Sequence, residues 1–204
     1  MNIDLRMPVI SDYEIIRLIL QGDRNKFRLL VEKYQPMVFR TCMGFLHNKD
    51  DADDLTQDVF IQAYQSLQNF KGEAAFSTWI YRITVNASLN KVRKSSGKPI
   101  LQRLDTLFGV GKGKEISFPV FDVEDPESIL IRHEHKEWVK NALDSLPENQ
   151  RTAIVLSKYD DMSQKEIAEI MKTTEGAVEA LIQRAKTNLR VKLLSSGKQI
   201  KKTP

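Results

Sequence analysis

Between Phe70 and Asn86 the chain reads FKGEAAFSTWIYRITVN, which interleaves aromatics with small polar side chains and bases. Aromatic faces stack on unpaired nucleobases, and Ser, Thr and Asn can bond base edges. Arg82, Lys91, Arg93 and Lys94 bring charge that can neutralise nearby phosphates. This combination suits the binding of a single nucleic-acid strand. Phe76, Ile80 and Ile83 also repeat at helical spacing, so those three are read as core.

A second set is acidic. Asp50, Asp51, Asp53, Asp54 and Asp58 crowd residues 50–58 with no base among them. They offer two chemistries, a divalent-metal site or an acidic helix start, where carboxylates favour the positive end of the helix dipole. No His or Glu accompanies them at ligand spacing, so the solvated or partner-facing helix start is the reading kept. A third set lies near the C-terminus. Ser163-Gln164-Lys165-Glu166 is a capping box opening a short helix with Ile167, Ala168 and Ile170 inward. Lys172-Thr173-Thr174 makes a turn, and a longer basic helix from about Glu175 turns Val178, Leu181, Ile182, Ala185 and Leu189 inward. Two helices, a short turn and a basic second helix make a helix-turn-helix, a reader of duplex DNA.

No catalytic constellation appears, and no cofactor or metal is expected. His133 and His135 stand two apart, which on a helix points them to different sides. Cys42 lies in an apolar helical stretch and reads as a small core residue. Gly109-Val110-Gly111-Lys112-Gly113-Lys114 is Gly-rich, but it lacks Walker spacing and follows no strand.

The elements that must position these residues are all helical. Residues 12–94 carry helical apolar periodicity throughout, with a stop at Gly22-Asp23 and a predicted kink or break at Pro36. Leu55, Val59, Tyr64 and Leu67 mark a third helix, and Phe76, Ile80, Ile83, Ala87 and Val92 a fourth. Residues 95–126 change character, from Ser95-Ser96-Gly97-Lys98-Pro99 to Asp125-Pro126. At about 3.3 Å per residue such a stretch could span up to about 100 Å, and its length argues for a linker. Helical spacing resumes at Ile129, Ile131, Trp138, Val139, Leu143 and Leu146, and Leu146-Pro147 ends that helix. The fold class is therefore all-α: two small helical domains, 1–94 and 127–204, joined by a flexible linker, the second ending in the helix-turn-helix.

The composition agrees. The chain has 204 residues, 41% hydrophobic and 28% charged, which excludes disordered and collagen-like classes. One cysteine excludes an internal disulfide. No run reaches the roughly 18 apolar residues of a membrane span, and residues 1–12 lack a secretory signal. A cytoplasmic location follows as the expectation. The net charge is +4, but bases concentrate in residues 82–114 and 179–202. Two basic zones and one acidic zone suggest two polyanion contacts and one basic partner.

Asp53-Asp54-Leu55-Thr56-Gln57-Asp58-Val59-Phe60, Phe70-Lys71-Gly72 and Phe76-Ser77-Thr78-Trp79-Ile80-Tyr81-Arg82-Ile83-Thr84-Val85-Asn86 resemble region 2 of the extracytoplasmic-function (ECF) sigma factors of bacterial RNA polymerase. Leu146-Pro147-Glu148-Asn149-Gln150-Arg151 and the helix-turn-helix resemble region 4. The resemblance covers roughly residues 20–94 and 129–193, with order, spacing and linker in agreement.

The resemblance implies a promoter-specificity subunit with no enzymatic activity. Domain 1–94 would dock on core RNA polymerase through Asp53, Asp54, Thr56 and Gln57. It would also recognise and melt the −10 element. Asn86 falls where the family reads a flipped-out base, and the loop from Phe70 to Ala75, with Lys71, would hold it. Trp79 and Arg82 would support strand separation, and Lys91, Arg93 and Lys94 would meet phosphates. Domain 127–204 would read the −35 duplex through the outward positions Glu179, Ala180, Gln183 and Arg184, with Lys186, Arg151 and Lys165 as further contacts. Several relatives carry bases where this chain has Glu179 and Leu181, a departure that bears on promoter sequence. The linker 95–126 would thread the polymerase cleft. Many relatives are held by an anti-sigma factor, which stands as a further expected partner; no insertion into the membrane is expected. The alternative is a stand-alone helix-turn-helix regulator of duplex operators. The absence of dimerisation heptads and the aromatic segment before Asn86 oppose it.

Overall fold

The structure, a computed structural model, describes residues 10–95 and 138–200, without the side chains of residues 95 and 195–200. The rest of the expected linker, its Gly-rich stretch, His133 and His135 lie outside the described residues. Among the described residues there is no strand, and no helix is long and apolar enough to cross a membrane.

Four helices form the first region. α1 spans Asp12–Leu20, starts where Ser11 Oγ accepts the Glu14 N–H at 3.2 Å, and buries Ile15, Ile16 and Ile19. Gly22, at φ +112, ends it in a conformation that favours glycine. α2, Phe27–Leu46, runs through Pro36 without a break. Of the kink or break expected there, the break does not occur. Pro36 and Glu32, whose carbonyl Pro36 cannot bond, both lie on the exposed side, so water can satisfy the carbonyl. α3 spans Lys49–Ser66 and is capped by Asn48 Oδ1, which accepts the Asp51 N–H at 3.0 Å, with Asp50 and Asp51 in its first turn. A 3-10 turn, Leu67–Asn69, leads through a short loop into α4, Phe76–Ser95. The core between them contains Leu30, Val38, Cys42, Leu55, Val59, Leu67, Phe76 and Ile80.

The second region begins, among the described residues, with a helix over 138–144, α5. α6 is Glu148–Tyr159, α7 Gln164–Met171 and α8 Glu175–Ile200. The capping box of α7 is formed in both directions. Ser163 Oγ accepts the Glu166 N–H at 3.3 Å, and Glu166 Oε2 accepts the Ser163 N–H at 2.9 Å. Lys172, at φ 52, closes the helix, and Thr174 Oγ1 opens α8 by accepting the Ala177 N–H at 3.2 Å.

The two regions are in contact. Phe45 of α2 and Tyr81, Val85 and Leu89 of α4 belong to the apolar cluster built from Leu143, Val155, Ile167, Val178 and Ile182. Val92, one of the residues that mark the fourth helix in the sequence, packs against this shared cluster. α4 thus carries two apolar stripes: Phe76, Ile80, Ile83 and Ala87 face the first core, and Tyr81, Val85, Leu89 and Val92 face the second region. Gly44 lies in this contact. A Cβ there would lie 2.7 Å from Val155 Cγ1 and 3.0 Å from the Tyr159 ring, so only glycine lets α2 and α6 meet at this distance.

Candidate functional site

The acidic helix presents Asp53, Asp54 and Gln57 to solvent on α3. Thr56 does not join them. It is buried, and its hydroxyl donates to the Ala52 carbonyl at 2.6 Å. Ile61 was not singled out from sequence, although it lies four residues beyond Gln57 on the same helical face and is 56% exposed. Its spacing from Asp54 and Gln57 was the available signal.

The aromatic segment forms one packed set. Phe70, Phe76 and Trp79 meet edge-on or tilted, with ring centroids 5.4–5.8 Å apart, and Tyr34 lies 5.3 Å from Phe76. Phe70 and Trp79 are half-buried against the first core, whereas Lys71, Gly72 and Glu73 of the loop are exposed. Gly72, at φ +71, turns the loop tip. Along α4, Trp79, Arg82, Asn86 and Arg93 follow spacings of 3, 4 and 7, which places them in one row. Asn86 and Lys94 are exposed.

Three of the bases on α4 are engaged by other groups. Arg82 Nη2 donates to the Glu169 carbonyl at 2.7 Å, and Arg82 Nε donates to the Ile170 carbonyl at 3.3 Å. Those carbonyls end α7, where the helix dipole favours a cation. Arg93 Nε lies 2.6 Å from Glu148 Oε1, and its Nη2 donates to Glu148 Oε2 at 3.3 Å. Lys91 pairs with Asp51 at 2.6 Å within the first region.

In the second region, Glu179, Gln183, Arg184 and Lys186 are exposed along α8, and Ala180 is half-buried. Leu181 packs on the shared cluster. Lys165 is exposed on α7. Arg151, expected as a phosphate contact, is turned inward at 4% exposure. One guanidinium nitrogen lies 3.3 Å from Asp144 Oδ1 and another donates to the Asp144 carbonyl. It holds the end of α5 to the start of α6. Burial lowers its pKa from the usual arginine value, against the opposing pull of Asp144 and Glu148.

Where the regions meet, Asp160 is enclosed. Thr41 Oγ1 donates to Asp160 Oδ2 at 2.8 Å, and Arg40 Nε donates to Asp160 Oδ1 at 3.2 Å. Burial raises the Asp160 pKa above its ordinary value, although both of these bonds oppose the shift. Sequence reasoning missed this contact and the second stripe of α4. The stripe was readable from the 4-residue spacing of Tyr81, Val85 and Leu89. The polar pairs were not, because their members stand 119 or 120 residues apart.

Two family profiles match the chain: Sigma-70 region 2 over residues 30–97 and Sigma-70, region 4, over residues 136–189. The RNA polymerase sigma-H factor of Pseudomonas aeruginosa is 33% identical over 176 residues, which cover 86% of this chain and 90% of that protein. The ECF RNA polymerase sigma-E factor of Haemophilus influenzae is 33% identical over 184 residues, covering 90% and 96% respectively. The ECF RNA polymerase sigma-E factor of Escherichia coli K12 is 32% identical over 177 residues, covering 87% and 91%. Among solved structures, CnrH in complex with the cytosolic domain of CnrY superposes with a TM-score of 0.59 at 22% identity, covering 89% of this chain and 96% of that one. The sigma factor RpoE of Bartonella quintana, in complex with the anti-sigma factor NepR, gives a TM-score of 0.53 at 21% identity, covering 82% and 96%.

Proposed function

This chain belongs to the extracytoplasmic-function sigma factors of bacterial RNA polymerase, and from that premise we propose how its surfaces divide the work. It is a sigma factor, a non-enzymatic initiation factor that binds core RNA polymerase and promoter DNA. In our reading the first domain, 1–94, docks on the polymerase through the exposed face of Asp53, Asp54 and Gln57, with Ile61 extending it. The same domain opens the −10 element. The row of Trp79, Arg82 and Asn86 beside the Phe70–Ala75 loop supports this reading. Extruding a base costs a few kcal/mol, which stacking and hydrogen bonds in a pocket can offset. Melting then needs no hydrolysis by the sigma factor.

The second domain, 127–204, reads the −35 duplex with α8. Gln183 suits adenine, Arg184 guanine or phosphate, and Glu179 the cytosine amino group. The intervening residues 95–126 connect the two contacts. We place this work in the cytoplasm, with an anti-sigma factor as a further partner, a class that one structural neighbour holds. The observation that carries the whole reading is the one-third identity to ECF sigma factors across nearly the entire chain.

Run-off transcription tests it. Purified protein is added to sigma-free core polymerase on fragmented genomic DNA. Discrete new start sites are expected, and alignment of the upstream sequences gives both promoter elements. Replacing Asp54 and Gln57 together by alanine is expected to weaken core binding by about tenfold, the effect of losing a modest hot spot. Absence of transcripts together with absence of co-elution with polymerase would overturn the reading.

A further inference from the structure

Among the described residues Tyr13 is the most exposed of the large apolar side chains, at 71%. Exposure alone says little, since single apolar side chains commonly lie on a surface. Its position says more. Tyr13 sits in the first turn of α1. Beyond the chain neighbours of Gly72, it alone among the described residues comes within 4 Å of a Cβ placed on Gly72, with Cε2 at 3.7 Å. Gly72 turns the exposed tip of the loop, at φ +71. The tyrosine ring therefore borders the loop assigned above to a flipped-out base.

Two bonds from α2 hold this turn in place. Asp12, next to Tyr13, accepts from Lys33 Nζ at 2.6 Å and from the Tyr34 hydroxyl at 2.5 Å. The Tyr34 ring lies 5.3 Å from Phe76, and Phe76 lies 5.8 Å from Phe70, where the loop begins. A continuous chain of contacts thus ties the start of α1 to the loop. The other aromatics there are committed to each other: Phe70 and Trp79 are half-buried, with ring centroids 5.4 Å apart. Tyr13 keeps most of its surface in water. Beside Gly72, Lys71 is exposed and can meet the phosphate of a nucleotide held at the tip.

We propose that Tyr13 is a base-stacking residue for the −10 strand: its ring forms the outer wall of the pocket made by the Phe70–Ala75 loop and covers one face of the extruded base. This rests on the reading that the loop holds that base. A tyrosine ring offers a flat surface to any base and has only two χ angles to fix. Covering the ring also removes its apolar surface from water.

The test uses the holoenzyme, the full chain with core polymerase, and a fluorescein-labelled promoter fragment taken from a mapped start site. The fragment is duplex through the −35 element and single-stranded over the non-template −10 element. Tyr13→Ala is expected to weaken binding about tenfold, within the range for one base stacked on one ring. Tyr13→Phe is expected to bind like wild type, and Tyr13→Leu like Tyr13→Ala. A fragment that is abasic at the captured position should bind wild type and Tyr13→Ala alike, because the coupling between ring and base is then gone. Abasic sites elsewhere in the element should leave the gap intact. Should urea melts show Tyr13→Ala less stable than wild type, the comparison of Phe with Leu carries the test, since both keep apolar bulk. Equal binding by wild type and Tyr13→Ala, rescue by Leu as complete as by Phe, or a gap that persists at every abasic position would overturn the proposal. Loss of co-elution with core polymerase in Tyr13→Ala would place the residue at the polymerase and overturn it too. Absence of any transcript from wild type with core polymerase would overturn the parent reading, whereas transcripts with no effect of Tyr13→Ala on fragment binding would overturn this inference alone.

Discussion

Cys42 is fully buried between α2 and α4, where the Ser88 hydroxyl donates to its Sγ at 3.9 Å. Burial pushes its pKa up to about 11. At pH 7 only about one thiol in ten thousand would then be a thiolate, the form that reacts. The folded protein is therefore expected to resist iodoacetamide at pH 7 and to label promptly in denaturant; fast labelling of the native chain would show that the site opens. The sequence carried this much, since an isolated cysteine on an apolar helical face reads as core. The family resemblance pointed to Asp53, Asp54, Gln57, Gln183 and Arg184, and all five prove solvent-facing. Thr56 and Arg151 show where that guidance ends. Thr56 came from a motif read as a block, but the helix turns it toward Ala52. Arg151 looked like a surface base, and its partner Asp144 sits on another helix, which no periodicity reveals.

Among the elements, α7 was the most legible, because its capping box is a local device between residues three apart. Ser163→Ala is expected to lower stability by about 1 kcal/mol, read by urea melts of the full chain. The bonds from Ser163 also hold the Glu166 carboxyl below its ordinary value of 4.5. That contribution is present above pH 4.5 and is lost as the pH falls through the lowered value. In α2 the break allowed for at Pro36 does not occur, since a missing hydrogen bond is tolerated where the orphaned carbonyl can reach water. α4 was half legible. One stripe was read as core at Phe76, Ile80 and Ile83, but its second stripe went unrecognised. A helix with two apolar faces must be covered twice, and the sequence did not say by what.

For the whole molecule, the expectation of two helical regions held, but the composition of the residues between them said nothing of whether the regions touch. The contact has a consequence in pH. Asp160 faces Arg40 and Thr41 from α2 and lies near Tyr81, Asp161 and Glu166, and burial leaves its pKa above the ordinary 3.8. A raised acid binds its proton better in the closed form, so closure is favoured at low pH and weakened as the pH rises through the raised value. Scattering profiles of the wild type are expected to become more compact as the pH is lowered through that raised value, and Asp160→Asn should flatten that response. Expansion on acidification would reverse the sign and contradict it.

The face joining α4 to α6 and α7 is carried at both ends by one polypeptide, so its closing is never a meeting of two molecules. A short tether commonly supplies an effective concentration of about 1 mM. Against that, halves that recognise each other with a dissociation constant of only about 0.1 mM would still be joined about nine-tenths of the time. The same halves, cut apart and mixed at micromolar concentration, would hardly associate. Dilution of the sigma factor in the cell therefore leaves the joint untouched, and severing the chain between the regions would release both halves at once.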